Sequence, residues 1–292
     1  MRETLTDRIA ATGAALTERL AGEWTPRLLE SSPDGRAVVE WTQHDRVLVA
    51  KLRTDGEGER QYALLTALSA IGAPTFRVPA PVAWLAGPCA LVMERVPGTP
   101  CRTLDPGDAA SAPVLERIGR ALAELHAAPV VPGPVKRMSD HVAELMRPAP
   151  EELARALPAQ ADRIHATLER LQRESDAWGA TPVVPLHRDY QLRQLFDDGT
   201  HVHVLDWDDA ASGDPAFDVG YLTAYLRSHH DDASAQRGIA AFLRGYGPDD
   251  ALASRVPTYE RFNALRRACR RFRLRDDGWE RELERMLERL ER

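Results

Sequence analysis

The chain has 292 residues, 43% of them apolar, and a formal net charge of −6, enough for one large domain or two lobes with cores of their own. The sequence pI near 5.9 argues against a general nucleic-acid or polyanion binder. No run reaches the roughly 18 apolar residues of a membrane span. The start, Met1 to Arg8, lacks the apolar core of a signal peptide, so a cytoplasmic protein with neither nucleic acid nor membrane as partner is expected.

Cys89, Cys101 and Cys269 are odd in number and scattered, which fits neither a disulfide framework nor a zinc spacing, and they read as reduced thiols. Of 38 basic residues only Lys51 and Lys136 are lysine. Arginine so dominates the basic residues that a lysine in a special place is the more informative.

In chain order, Leu5, Ile9, Leu16 and Leu20 have helical spacing and predict a leading amphipathic helix that serves packing. After the turn signal Pro33-Asp34-Gly35, residues 37–41 and 46–52 read as consecutive antiparallel strands, which puts Lys51 on a strand. Residues 59–71 carry Leu64, Leu65, Leu68 and Ile71 on one helical face and end at Gly72 before Pro74. Residues 81–85 and 89–94 supply two more strands, and residues 96–100 interrupt them with linker chemistry. From there the pattern turns helical, with candidates at 111–127, 138–147, 151–176, 217–230, 233–245, 258–274 and 277–291. A mostly β lobe over 1–95 before a mostly α lobe over 96–292 is an α+β architecture, not a doubly wound sheet.

Three motifs carry the chemistry. His187-Arg188-Asp189-Tyr190-Gln191-Leu192-Arg193-Gln194 reads as a catalytic loop, Val204-Leu205-Asp206-Trp207-Asp208 as an aspartate at a strand end, and Gly213-Asp214-Pro215 with Asp218 as the buttress beneath both. Phosphoryl transfer demands positioning and charge neutralisation more than covalent help. A carboxylate near the acceptor hydroxyl, a second on Mg²⁺ and an amide sharing the metal meet that demand, and Asp189, Asp206 and Gln194 fill those places in order. Residues 182–186 and 201–205 read as short β segments that bring the two aspartates to one edge.

On these motifs the chain resembles the aminoglycoside phosphotransferase family, whose members share a bilobal protein-kinase-like fold; the resemblance runs from about residue 33 to about 246. It implies that ATP is the donor, that Mg²⁺ is required and that the acceptor is a hydroxyl on a small molecule, aminoglycoside-like or another metabolite. It makes Asp189 the residue that orients or deprotonates that hydroxyl, Asp206 the main Mg²⁺ ligand with Gln194 its neighbour, and Lys51 the residue on the α- and β-phosphates. Asp218 looks like the buried acid that pins the backbone at His187 and Arg188. Adenine is expected against the linker near Glu94, Arg95 and Val96, under Ala50 and Met93.

The chain departs from the family at two points. Gln194 stands where asparagine is usual, so an extra methylene must be absorbed by a metal that wants near-octahedral geometry. Glu59 is preferred as the acid facing Lys51, with Glu57 upstream and Gln61 at the aligned position. No Gly-x-Gly-x-x-Gly loop is present; residues 31–35 stand in its place.

Three other readings compete. His201 and His203, two apart on a strand, would share a face and with a carboxylate could bind zinc, but Val202, Val204 and Leu205 supply the buried face and leave the histidines solvated. A nucleotide-binding pseudokinase with weakened catalysis is the second. The third, a Ser/Thr peptide kinase, is suggested by the basic run from Arg266 to Arg275, although Asp276, Asp277, Glu280, Glu282 and Glu284 can neutralise it. Asp208, Asp209, Asp231, Asp232, Asp249 and Asp250 are candidates to receive a cationic acceptor.

Overall fold

The structure, a computed structural model, describes residues 4–275 and 277–288. Helix α1 (Leu5–Leu20) begins where the Thr4 hydroxyl accepts from the Asp7 backbone N–H and the Asp7 carboxylate accepts from the Thr4 N–H, a reciprocal cap. Then come β1 (Thr25–Ser31), β2 (Ala37–Gln43), β3 (Arg46–Leu52), α2 (Gly58–Ser69), β4 (Phe76–Arg77), β5 (Pro81–Leu85), β6 (Ala90–Glu94) and β7 (Thr99–Pro100). The remainder contains α3 (Ala112–His126), β8 (Val135–Lys136), α4 (Met138–Leu145), α5 (Pro150–Ala156), α6 (Ala161–Asp176), β9 (Val184–Leu186), β10 (Leu195–Asp197), β11 (Val202–Val204) and β12 (Ala211–Gly213). Four helices close it: α7 (Ala216–His229), α8 (Asp232–Tyr246), α9 (Asp250–Leu274) and α10 (Trp279–Glu288).

The expected α+β class is therefore observed. Strand β1 was not expected: every residue in it is exposed, so it carries no burial alternation to read. The helix expected over 151–176 is two, because Pro158 opens a 3₁₀ turn between α5 and α6. The helix expected from 258 begins eight residues earlier and runs through Pro257, and Met1 to Glu3, Asp276 and residues 289–291 lie outside the described residues.

The chain forms two compact units. The first comprises residues up to Thr99 together with Phe196–Asp208, the second Pro100–Leu195 and Asp209 onward. They differ from a contiguous division at 95/96 because β11 pairs in parallel with β4, matching Val202 to Phe76 and His203 to Arg77. This pairing carries the segment that ends in Asp206 back into the first unit. The edge-to-face contact of Phe76 and Trp207, 6.0 Å between centroids, packs the same junction.

In the first unit a five-stranded antiparallel sheet has the order β1-β2-β3-β6-β5. Val39 and Trp41 on β2 alternate with Leu48, Ala50 and Leu52 on β3 to fill its core, and Leu16 of α1 is buried with them. In the second unit β12 pairs with β8 and β9, and α7 is buried at every position from Ala216 to Leu226. Helices α3 and α8 approach through Gly119 and Gly245. A Cβ at Gly119 would meet the Phe242 carbonyl oxygen at 2.1 Å, and one at Gly245 the Glu116 carbonyl oxygen at 2.0 Å; glycine is needed for that approach.

Candidate active site

Lys51 lies on β3 between the buried Ala50 and Leu52, and its side chain is 25% exposed. Its Nζ donates to Asp206 Oδ1 at 2.5 Å and lies 3.4 Å from Asp208 Oδ1. Asp206 adopts a left-handed backbone, φ 67°, a conformation that disfavours a Cβ-bearing residue and that surrounding structure must impose. Burial opposes the charge on Lys51, yet the carboxylates of Asp206 and Asp208 outweigh it and raise its pKa.

Behind this pair stands a group that motif reading did not find. Arg53 Nη1 lies 2.9 Å from Asp208 Oδ2 and donates to Gln61 Oε1 at 3.0 Å, while Gln61 Nε2 donates to Asp208 Oδ1 at 2.7 Å. Burial raises the Asp208 carboxyl, but Lys51, Arg53 and the Gln61 amide together bring it down to about 2. Thus α2 meets the site through Gln61, a neutral amide, and Glu59 is exposed. The acids beside Lys51 come from the Asp206 segment instead.

At the linker, Met93 pairs in register with Val49, and both Ala50 and Met93 are buried. The Glu94 N–H donates to the Ala80 carbonyl and the Arg95 N–H to the Val47 carbonyl, at 2.9 and 3.1 Å. Arg46 holds the Glu94 carboxylate at 2.5 Å. Val96, half-buried, follows them.

The second unit holds Asp189. Its Oδ2 accepts from Gln191 Nε2 and Gln194 Nε2, each at 3.0 Å, and its Oδ1 accepts a short hydrogen bond from the Tyr221 hydroxyl. Arg266 Nη2 stands 3.9 Å from the same Oδ1. Burial first, and then the Asp189 charge against the opposing Arg266, push the Tyr221 phenol well above its ordinary range, so it remains a donor. The Gln194 nitrogen is thus engaged by the Asp189 carboxylate.

The loop that presents Asp189 is held from below. Asp218, fully buried, accepts from the backbone N–H groups of His187 at 2.7 Å and Arg188 at 2.8 Å, and His126 Nε2 lies 3.4 Å away. Arg188 takes φ 65°, and its guanidinium reaches Glu144 at 2.8 Å and the Asp209 carbonyl at 3.2 Å. The Asp189 N–H donates to His187 Nδ1 at 3.2 Å. Asp214 is clamped by Arg255 at 2.7 and 2.9 Å, a two-pronged pair that fixes the start of α7 against α9.

Other sequence candidates have different work. His203 is buried, not solvated, and both His201 and His203 face Asp198, at 3.2 and 3.0 Å. No group of three or more His, Cys, Asp or Glu is arranged to hold a metal among the described residues. In the basic run, Arg266 donates to the Arg188 carbonyl at 3.1 Å and Arg271 pairs with Glu282, so part of that face is neutralised within the second unit. Asp231 and Asp249 cap α8 and α9 by accepting from Ser234 and Leu252 N–H groups.

The donor set suits Mg²⁺, a hard cation that takes few protein ligands and keeps oxygens of phosphate and water. Within the first unit, Asp206 offers a carboxylate and Lys51 a cation for phosphate oxygens.

Comparison with known proteins identifies the family. The model of the phosphotransferase enzyme family APH matches residues 29–253, and the chain belongs to that family. No curated protein sequence gives a significant match. Among solved structures, a choline/ethanolamine kinase family protein from Mesorhizobium loti is 16% identical, with 99% of this chain and 94% of that one covered and a TM-score of 0.68. A macrolide 2′-phosphotransferase from Brachybacterium faecium is 20% identical over 96% and 98% of the two chains, with a TM-score of 0.61. An amicoumacin kinase in complex with AMP-PNP and Ca²⁺ is 14% identical over 98% and 93%, with a TM-score of 0.68. The fold is that of a kinase-like phosphotransferase, and no described helix is long and apolar enough to cross a membrane.

Proposed function

We propose that the protein transfers the γ-phosphate of ATP to a hydroxyl group of a small molecule. The observation that carries this reading is the contact of the strand lysine Lys51 with Asp206, partners separated by 155 positions in sequence. A chain that keeps its less common basic residue type at such a contact has the means to neutralise phosphate charge and to hold a metal side by side.

Asp206 and the Gln194 oxygen are the ligands we assign to Mg²⁺, which when bound neutralises charge on the phosphates and orients them. Lys51 is assigned to the α- and β-phosphate oxygens, and the linker with Met93, Glu94 and Val96 to adenine. Asp189 accepts the proton of the acceptor hydroxyl at its carboxylate. Tyr221, Gln191 and Gln194 fix the orientation of that carboxylate through hydrogen bonds, and Asp218 fixes the loop.

ATP consumption measured with aminoglycosides, macrolides, other hydroxylated metabolites and Ser/Thr peptides tests the reading. Acceptor-dependent consumption that Asp189→Asn abolishes while ATP binding persists is the expected outcome. Full turnover in Asp189→Asn would show the base to be assigned wrongly.

A further inference from the structure

Around Asp189 the second unit carries positive charge. The acids that suggested a place for a cationic acceptor are committed elsewhere: Asp208 to Lys51, Arg53 and Gln61, and Asp231 and Asp249 to helix caps. Asp232 and Asp250 fall in the first turns of α8 and α9, where a carboxylate complements the helix dipole. Asp209 lies 3.5 Å from Arg266, which leaves that acid beside a cation already.

Next to this compensated pair is an uncompensated one. Arg267 on α9 lies with its guanidinium carbon 5.8 Å from the centre of the Tyr225 ring, and its Nη2 is 3.1 Å from His229 Nε2. His229 Nδ1 faces the Tyr225 carbonyl at 2.9 Å, so Nδ1 carries the proton and Nε2 accepts from Arg267. The Arg267 Nε is buried with no hydrogen-bond partner, and no carboxylate pairs with Arg267 among the described residues. A half-buried guanidinium held by a neutral imidazole and an aromatic face lacks the anion that normally offsets its desolvation.

Two more cations lie close by. Arg193, exposed in the loop between Gln191 and Gln194, acts electrostatically on both Tyr225 and His229. Arg266 lies 5.1 Å over the ring of Tyr221, the residue bonded to Asp189. Arg193, Arg266 and Arg267 thus gather around one face of α7, beside the residue assigned to the acceptor hydroxyl. A polycationic acceptor would meet repulsion there, whereas an oxyanion would supply the missing counter-charge.

We infer that the acceptor is a hydroxylated compound bearing a carboxylate or phosphate group, bound by Arg267 and Arg193 beside Asp189. The inference rests on the phosphotransferase reading and names its substrate class.

The test uses the full chain labelled with ¹⁵N, with inorganic phosphate, acetate and choline as probes. The Arg267 Nε–H resonance, assigned by its loss in Arg267→Lys, is expected to shift with phosphate or acetate and to stay put with choline. Because Arg267 is half-buried, the exposed Arg193→Ala provides a second variant, expected to weaken probe binding roughly tenfold as one charge-assisted contact is removed. In turnover, glycerate and glucose 6-phosphate distinguish carboxylate from phosphate, while glucose and kanamycin supply the neutral and cationic arms. Arg193→Ala should raise KM for the anionic acceptor by a similar factor and leave KM for ATP unchanged. An Arg267 resonance indifferent to both anions, or a preference for kanamycin or glucose, overturns the inference. Mg²⁺-ATP binding is measured on the same samples: its absence contradicts the phosphotransferase reading, whereas ATP binding with kanamycin turnover contradicts the anionic acceptor alone.

Discussion

The amide of Gln61 and the carboxylate of Asp208 meet at 2.7 Å, and this contact, with Arg53 beside it, makes Asp208 the hub behind Lys51. Helix α2 is tied to the Asp206 segment by a neutral donor, leaving the two carboxylates to balance Lys51 and Arg53.

Asp208 should therefore give the protein an acid-labile increment of stability. Its carboxyl titrates at about 2 in the fold against an ordinary 3.8. The increment is present above pH 3.8 and is lost as pH falls through 2, because the unfolded chain binds the proton first. The shift corresponds to about 2.4 kcal/mol, which exposure of a third of the side chain reduces to about 1 to 2 kcal/mol. Urea denaturation at pH 4 and pH 2 should show this loss in the wild type and a smaller one in Asp208→Asn.

Tyr221→Phe removes a donor to Asp189 without altering the packing of the ring. Loss of a hydrogen bond to a charged group is worth about 1.5 kcal/mol or more, so kcat should fall roughly tenfold while KM for ATP holds. Since burial keeps the phenol protonated, the wild type should show no loss of activity from Tyr221 ionisation up to about pH 10. Steady-state kinetics across pH checks both statements.

Gln194→Asn shortens the amide by one methylene. The bond from Nε2 to Asp189, 3.0 Å in this structure, would be stretched past hydrogen-bonding range. Restoring the family's usual residue should thus lower kcat, by about tenfold, not raise it. An unchanged or higher kcat would show that the surrounding loop, not the longer side chain, sets the geometry.

Gly119→Ala tests the packing that supports the loop. With the Phe242 carbonyl 2.1 Å from the new Cβ, α3 and α8 must separate, at a cost of about 1 to 3 kcal/mol for overpacking. Thermal or urea unfolding should show it, and Gly245→Ala should behave alike.

Elements with strong local signals were legible in the chain: α1 from its apolar spacing, β2 and β3 from their alternation, and Asp189, Asp206 and Asp218 from ordered motifs. The contacts that complete the site were not. Tyr221 lies 32 positions and Arg266 77 positions from Asp189, each on an ordinary helix, so nothing local distinguishes them from core or surface residues. An acid is the expected partner for a strand lysine, which favours Glu59 over Gln61 in the sequence. The structure satisfies Lys51 from Asp206 and Asp208 instead, and uses α2 for a hydrogen-bonding amide. Asp231 and Asp249 read in the sequence as candidate receptors for a cation because cap and ligand chemistry draw on the same residue type.

Calorimetric titration of ATP, with and without Mg²⁺, into the wild type and Asp206→Ala tests the assignment of Asp206 to the metal. Mg²⁺-dependent binding is expected in the wild type and its loss in the variant, with the fold retained. No binding of Mg²⁺-ATP by the wild type, or binding undiminished in Asp206→Ala, would contradict it.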